Sequence, residues 1–360
     1  NALFWKNPRR LTVAASAQGG ARRSRVVWPM WTALVTLVSS TRGLTVIEQT
    51  LHNRHRPPPG QRHVEGPARV QKAAEALRAA AFSKDIEWRR AIDSQASCED
   101  AVASLKLVHT IDHLRTVAAM SKTGGGFDTD TYCAPGSWEA MLDGTRAWSD
   151  AVSLAANGLG PAFALSRPAG HHATRDVAMG FGLVNFAAAA VASHLARHPN
   201  ASVSILDWDV HYGNGVADIF RDEERVRYCS LHERGGFPGT GCDESEVGPH
   251  RTLLHLPLAK GCGSEEYLSA LEERALPFLL SAPAPSLLLI CAGYDALAAD
   301  PLATMELDPE DFGESVRLIV EEFGFPVERI AVGLEGGYDL DLERGMPAAV
   351  VRTCEALCSG

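Results

Sequence analysis

The chain has 360 residues, 46% of them hydrophobic and 22% charged, and carries a formal net charge of −10. That composition suits a globular protein with a large core, and its acidity argues against affinity for nucleic acid resting on a broad basic surface. The eight cysteines form no CxxC pair, which argues against a zinc ribbon or a thioredoxin-type site and leaves buried, reduced thiols as the expectation.

Residues 1–47 contain no Asp or Glu, while Lys6, Arg9, Arg10, Arg22, Arg23, Arg25 and Arg42 are basic. An apolar run at 26–38 follows the Arg cluster and precedes Ser39 and Ser40. Pro29 interrupts it, and it falls short of the roughly 18 apolar residues that a membrane span needs. The stretch 1–47 is expected to be a targeting-like or disordered leader, and 48–360 one folded domain. An organelle such as a plastid is the expected destination, with cytoplasm or nucleus as the alternative.

Beyond the leader, Pro57 to Pro59 and Gly60 mark a loop. Helical periodicity predicts helices at 67–81, 99–117, 137–156, 183–197, 264–280, 309–322 and 342–357. Between them lie short apolar runs of strand length at 162–165, 203–208, 226–231, 253–256, 287–292 and 330–334. Such runs lack alternation, so they suit strands buried on both faces, as in a parallel sheet flanked by helices. The fold class expected is therefore α/β, with a central parallel sheet.

Clusters of His, Asp, Gly and Tyr follow several of these runs directly, and ligands in open parallel sheets bind at the carboxyl ends of strands. SRPAGHHATRDVAMGFG at 166–182 holds adjacent His171 and His172. That spacing suits proton transfer better than joint metal ligation, for which a helical pair would sit four residues apart. ILDWDVHYGNG at 205–215 places Asp207, Asp209 and His211 at alternate positions, on one face if the strand continues. Mixed carboxylate and imidazole donors favour a divalent metal, zinc foremost. LLLICAGYDALAADPL at 287–302 supplies Asp295 as a third ligand and leaves a fourth position open, the pattern of a catalytic site. Asp300, before a proline, reads as a turn residue. VGLEGGYDL at 332–340 mounts Tyr338 behind a Gly-Gly pair, from which its hydroxyl could reach a substrate carbonyl.

In this order the four motifs resemble the signature set of the zinc-dependent histone deacetylases. HVEGPARV at 63–70, and Leu231-His232 followed by FPGTG at 237–241, extend the likeness. It runs from about His52 to Cys358 and lies closer to the class II and bacterial-type branch. It implies a single arginase–deacetylase domain that removes acetyl groups from acetyl-lysine in histone or non-histone proteins. Asp209, His211 and Asp295 would bind Zn2+, whose water attacks the carbonyl. His172 would act as general base and then acid, with His171 beside it and Tyr338 stabilising the oxyanion. Asp207 and Asn214 would orient the two histidines.

Gly180, Phe181, Phe237, Leu302, Gly336 and Gly337 are the tunnel residues that the likeness implies, with Asp130 (or Asp128) at the rim. Asp207, Asp209, His211, Ser230 and Leu231 match a structural K+ site. The partner implied is an acetylated protein or peptide, without direct nucleic-acid contact or a stable membrane span; the oligomeric state is left open. Tyr212 and Val64 depart from the family pattern without touching a ligand. An acetylpolyamine deacetylase is the alternative of like chemistry, although Leu302 stands where such enzymes tend to carry an acidic residue. A non-catalytic acyl-lysine-binding protein is the other alternative, and a binuclear arginase-like hydrolase would need more carboxylates beside Asp295.

Overall fold

The computed structural model describes residues 43–91 and 95–360. Most of the expected leader therefore lies outside the described residues. In chain order the elements are β1 (Thr45–Glu48), α1 (Ala68–Ala79), β2 (Glu87–Arg90), α2 (Gln95–Val108), α3 (Ile111–Thr123), β3 (Gly125–Gly126), β4 (Tyr132–Cys133), α4 (Ser137–Ala156), β5 (Ala162–Leu165), α5 (Phe186–Arg197), β6 (Val203–Asp207), α6 (Asn214–Phe220), β7 (Val226–Glu233), β8 (Ser245–Val247), β9 (Leu253–Leu258), α7 (Ser264–Ala270), α8 (Leu276–Leu279), β10 (Leu287–Ala292), α9 (Pro309–Arg317), β11 (Ile330–Leu334) and α10 (Met346–Ser359).

The central sheet runs β2-β1-β5-β11-β10-β6-β7-β9-β8. Every pairing in it is parallel except that of β8 with β9. Why both faces are covered is visible in β10. Leu287, Leu289 and Cys291 pack into one apolar cluster with α4 and α5. Leu288, Ile290 and Ala292 are equally buried but lie outside that cluster, on the opposite face. The pleat alternates side chains across the sheet, so a strand buried on both sides reads as an unbroken apolar run. The α/β architecture expected from the sequence is the one observed.

Differences from the sequence reading have local causes. β1 sits between β2 and β5, so the sheet takes in Thr45 to Ile47, three residues that the sequence reading gave to the leader. The helix expected at 99–117 is two helices, because Thr110 is extended and caps α3 by accepting from the His113 N–H. The helix expected from 183 starts at Phe186, where the Asn185 side chain accepts from the Ala188 N–H. The last helix starts at Met346 rather than 342. β1, β2 and β8 of this sheet and the separate antiparallel pair β3–β4 escaped prediction; β2 and β8 are polar strands at the sheet edges. Of the cysteines, Cys133, Cys229, Cys262, Cys291 and Cys354 are buried, whereas Cys98, Cys242 and Cys358 are only partly so. No helix among the described residues is long and apolar enough to cross a membrane.

Candidate active site

β5, β11, β10 and β6 are parallel neighbours, so the loops leaving their carboxyl ends converge on one edge of the sheet. Those loops carry the four motifs. β6 ends at Asp207, and the chain then bends instead of continuing as a strand. Asp207 Oδ1 accepts from the Asp209 N–H at 3.2 Å, and Asp209 Oδ1 accepts from the His211 N–H at 2.9 Å. Each Asp thus caps the backbone two residues on, and this turn chemistry replaces the strand alternation expected there.

The result brings the proposed ligands together. His211 Nδ1 lies 3.1 Å from both Asp209 Oδ1 and Asp295 Oδ2. One donor atom from each of the three residues falls within 4.8 Å of the others. Asp295 Oδ1 accepts from the Val210 N–H at 3.0 Å, and Asp209 Oδ2 from the Gly336 N–H at 2.8 Å, so both carboxylates are aimed. Two fully buried carboxylates facing one imidazole hold more negative charge than a low-dielectric site tolerates without a cation. Hard oxygen and borderline nitrogen donors at this spacing fit a zinc-type divalent ion. Gly336 is obligatory here, since a side chain at that position would collide with the carboxylates of Asp295 and Asp209.

The histidine pair stands beside this centre, its rings 4.0 Å apart. His171 Nδ1 is 3.0 Å from Asp207 Oδ2, to which the Tyr228 hydroxyl also donates at 2.8 Å. His172 Nδ1 is 2.8 Å from Asn214 Oδ1. These two orienting partners are the ones expected from the sequence. The environments push the two imidazoles apart. Burial opposes charge on His171, but the carboxylates of Asp209 and Asp207 outweigh it and raise its pKa to about 10. Burial, together with charge on His171 and His211, drives His172 well below the ordinary value. A charged His171 thus sits beside a neutral, proton-accepting His172.

A cavity of about 440 Å³ opens above these groups, lined by His171, His172, Gly180, Phe181, His211, Phe237, Leu302, Tyr338 and residues 128–131. The Phe237 ring stands edge-on to His172 at 4.8 Å, and Phe181 edge-on to Tyr338 at 5.6 Å. Phe181 holds φ at 68°, a left-handed conformation that a non-glycine residue adopts only where its surroundings impose it. Gly336 and Gly337, expected in the tunnel wall, are not among these lining residues; the N–H of Gly336 donates to Asp209 and the carbonyl of Gly337 accepts from Arg69. At the rim, Asp128 is occupied in capping the N–H groups of Asp130 and Thr131. Asp130 is exposed, with only the Thr129 hydroxyl near its carboxylate among the described residues, and is the freer of the two candidates. Register places Asp207 beside Ser230 at the same sheet edge, while the Ser230 hydroxyl lies 2.9 Å from His232 Nδ1.

Tyr338 is mostly buried, and burial raises its phenol well above the usual value, so the hydroxyl stays protonated as a donor. Most of its support was not legible in the sequence. Arg69 donates to the carbonyls of Gly337, at 2.7 Å, and of Glu335, and its guanidinium lies 4.8 Å from the centre of the Tyr338 ring. Arg69 also pairs with Glu65, which binds Arg167 through both oxygens and accepts from the Tyr132 hydroxyl at 3.0 Å. Glu335 Oε2 accepts from the Gly170 and His171 N–H groups and so ties the histidine loop to the tyrosine loop. Asp300, read as a turn residue, does make its turn, to Leu302 N–H at 2.9 Å, but it is buried and also accepts from Tyr338 N–H. Arg69 had a signal, since it stands in the HVEGPARV segment. The links of Glu65 to Arg167 and of Asp300 to Tyr338 had none, because those partners are far away in the chain.

The comparisons with known proteins agree with this geometry. Residues 63–354 match the histone deacetylase domain. The chain belongs to the histone deacetylase family. It is 34% identical to a histone deacetylase-like amidohydrolase of Pseudomonas aeruginosa, over 78% of this chain and 74% of that one. It is 38% identical to an uncharacterised protein of Synechocystis, over 83% and 94% respectively. The crystal structure of the HDA15 HD domain superposes with a TM-score of 0.80 at 30% identity, covering 89% of each chain. The family and these relatives make the chain a hydrolase of the deacetylase–amidohydrolase type, built on a single α/β domain of the arginase–deacetylase kind.

Proposed function

We propose that this family member is a zinc-dependent deacetylase acting on the acetyl amide of N-epsilon-acetyl-lysine in proteins. The observation that carries the reading is the convergence of Asp209, His211 and Asp295 with His172 and Tyr338 at the base of one aromatic-walled cavity. Phe181 and Phe237 would accept an unbranched four-carbon chain, and the exposed Asp130 would receive the backbone N–H groups of an extended peptide. Zinc, held by Asp209, His211 and Asp295, would polarise the amide carbonyl and acidify a water, with a further K+ near Asp207 and Ser230 holding the loop.

The chain's own residues would do the rest. Neutral His172, aimed by Asn214, takes the proton of the attacking water and returns it to the departing amine. Charged His171, paired with Asp207, keeps the local field positive as the oxyanion forms. Tyr338 donates to that oxyanion, and the aromatic wall of Phe181 and Phe237 would limit the water that competes for the bond.

Exposed Asp130 also favours a second substrate, an acetylated polyamine, whose distal ammonium would pair with it; apolar Leu302 at the mouth favours the peptide. Hydrolysis of an acetyl-lysine peptide beside acetylspermidine distinguishes them. Preference for the peptide supports the first reading, and turnover of acetylspermidine alone replaces it with the second.

A further inference from the structure

Asp300 has no part in the chemistry proposed above, yet it is 7% exposed and saturated with backbone donors. Its Oδ1 accepts from Leu302 N–H at 2.9 Å, within its own loop. Its Oδ2 accepts from Tyr338 N–H at 2.6 Å and from Asp339 N–H at 3.4 Å, across to the loop that follows β11. Three side chains fix that second loop. Arg69 holds the carbonyls of Glu335 and Gly337, and Asp209 holds the N–H of Gly336. Asp300 holds the amide of Tyr338 itself. The two residues before Tyr338 are glycines, the second with φ at 109°, so the backbone there has little stiffness of its own.

We propose that Asp300 is the positioning residue of Tyr338. Its carboxylate sets the height and direction of the phenol over the metal centre. Through Leu302 it ties the mouth of the tunnel to the same anchor, so the rim and the oxyanion donor keep one spacing. A buried carboxyl group is suited to this task because one oxygen can serve two N–H groups while the other serves a third. The inference rests on the reading that Tyr338 acts on the substrate carbonyl.

The test uses Asp300→Ala and Asp300→Asn, each alone and with Tyr338→Phe. A donor displaced by about an ångström costs on the order of 10²-fold in rate. Asp300→Ala is therefore expected to lower kcat on an acetyl-lysine peptide by about 10²-fold with KM nearly unchanged, whereas in the Tyr338→Phe background it lowers kcat less than about 3-fold. Asp300→Asn, which keeps one oxygen acceptor, recovers a large part of the loss. Equal losses in both backgrounds would overturn the proposal.

A second readout needs neither metal nor turnover. The chain has six tyrosines, and 3-fluorotyrosine labelling with Tyr338→Phe as the assignment control isolates the Tyr338 resonance. That resonance should shift or broaden in metal-free Asp300→Ala; an unchanged resonance would overturn the clamp. If the unmutated chain hydrolyses no acetyl-lysine peptide, the functional reading fails, and this spectrum alone decides the clamp. If Asp300→Ala does not fold, the same spectrum and rate comparison on Asp300→Leu, of similar size but with no acceptor, decide it.

Discussion

Replacing Glu65 by Gln removes one negative charge from between two buried guanidinium groups. Glu65, Arg69 and Arg167 are all 0% exposed, so water cannot take over the solvation of whichever charge is left behind. Burial alone would raise the Glu65 carboxyl; Arg167 above all, then Arg69 and His55, outweigh it and hold the group at about 2 against an ordinary 4.5. At ~1.4 kcal/mol per pH unit, that depression corresponds to about 3 kcal/mol of folding stability at neutral pH. Breaking a buried ion pair from one side costs about 3–5 kcal/mol by independent experience, so the two routes agree.

The sign with pH follows. An unfolded Glu takes up its proton near 4.5 and the folded one only near 2, so the stabilisation is complete above 4.5 and is lost as pH falls through about 2. Urea unfolding of the native chain and Glu65→Gln, repeated from pH 7 down to pH 3, reads this directly. The gap should be about 3 kcal/mol at pH 7 and shrink steadily below pH 4.5. A gap under about 1 kcal/mol at pH 7, or one that does not narrow in acid, would refute the reasoning. Because Arg69 holds the carbonyls of Glu335 and Gly337, the same variant should also lose turnover while still folded at low urea.

Tyr338→Phe should retain bound zinc and lose about 10²–10³-fold in kcat, the usual loss for one oxyanion donor; zinc analysis with steady-state kinetics checks it, and unchanged turnover would remove Tyr338 from the mechanism. Asp295→Asn should carry no zinc after dialysis, because an amide is a poorer ligand than the carboxylate now 3.1 Å from His211 Nδ1. Metal content equal to the unmutated chain, measured by atomic emission, would show the ligand assignment to be wrong.

The sheet was legible because its inner strands are buried on both faces, and six apolar runs without alternation could hardly fit elsewhere. The ligands and the histidine pair were legible because they follow such runs closely: His171 and His172 after 162–165, Asp209 and His211 after 203–208, and Asp295 after 287–292. β1 (TVIE) overlaps the acid-free leader, and β2 (EWRR) and β8 (SEV) are polar, partly exposed edge strands with no apolar run to mark them. The break at Thr110 lay hidden inside one helical pattern, since a capping Thr looks the same as any other until its partner is seen. The larger omission is the support beneath the site. Glu65 lies 102 residues from Arg167, and Asp300 lies 38 from Tyr338. Only the fold brings them together, and a sequence shows a buried charge without showing what neutralises it. Asp207, Asp209 and His211 were recognised from alternate spacing, although successive Asx turns, and not a continuing strand, aim them.

The most direct measurement is acetate release from an acetyl-lysine peptide by the purified chain before chelation, after chelation, and after zinc is returned. Metal-dependent hydrolysis at the Asp209–His211–Asp295 centre predicts turnover that chelation abolishes and zinc restores. Turnover that persists undiminished in the chelated protein, with zinc shown to be absent, would contradict it.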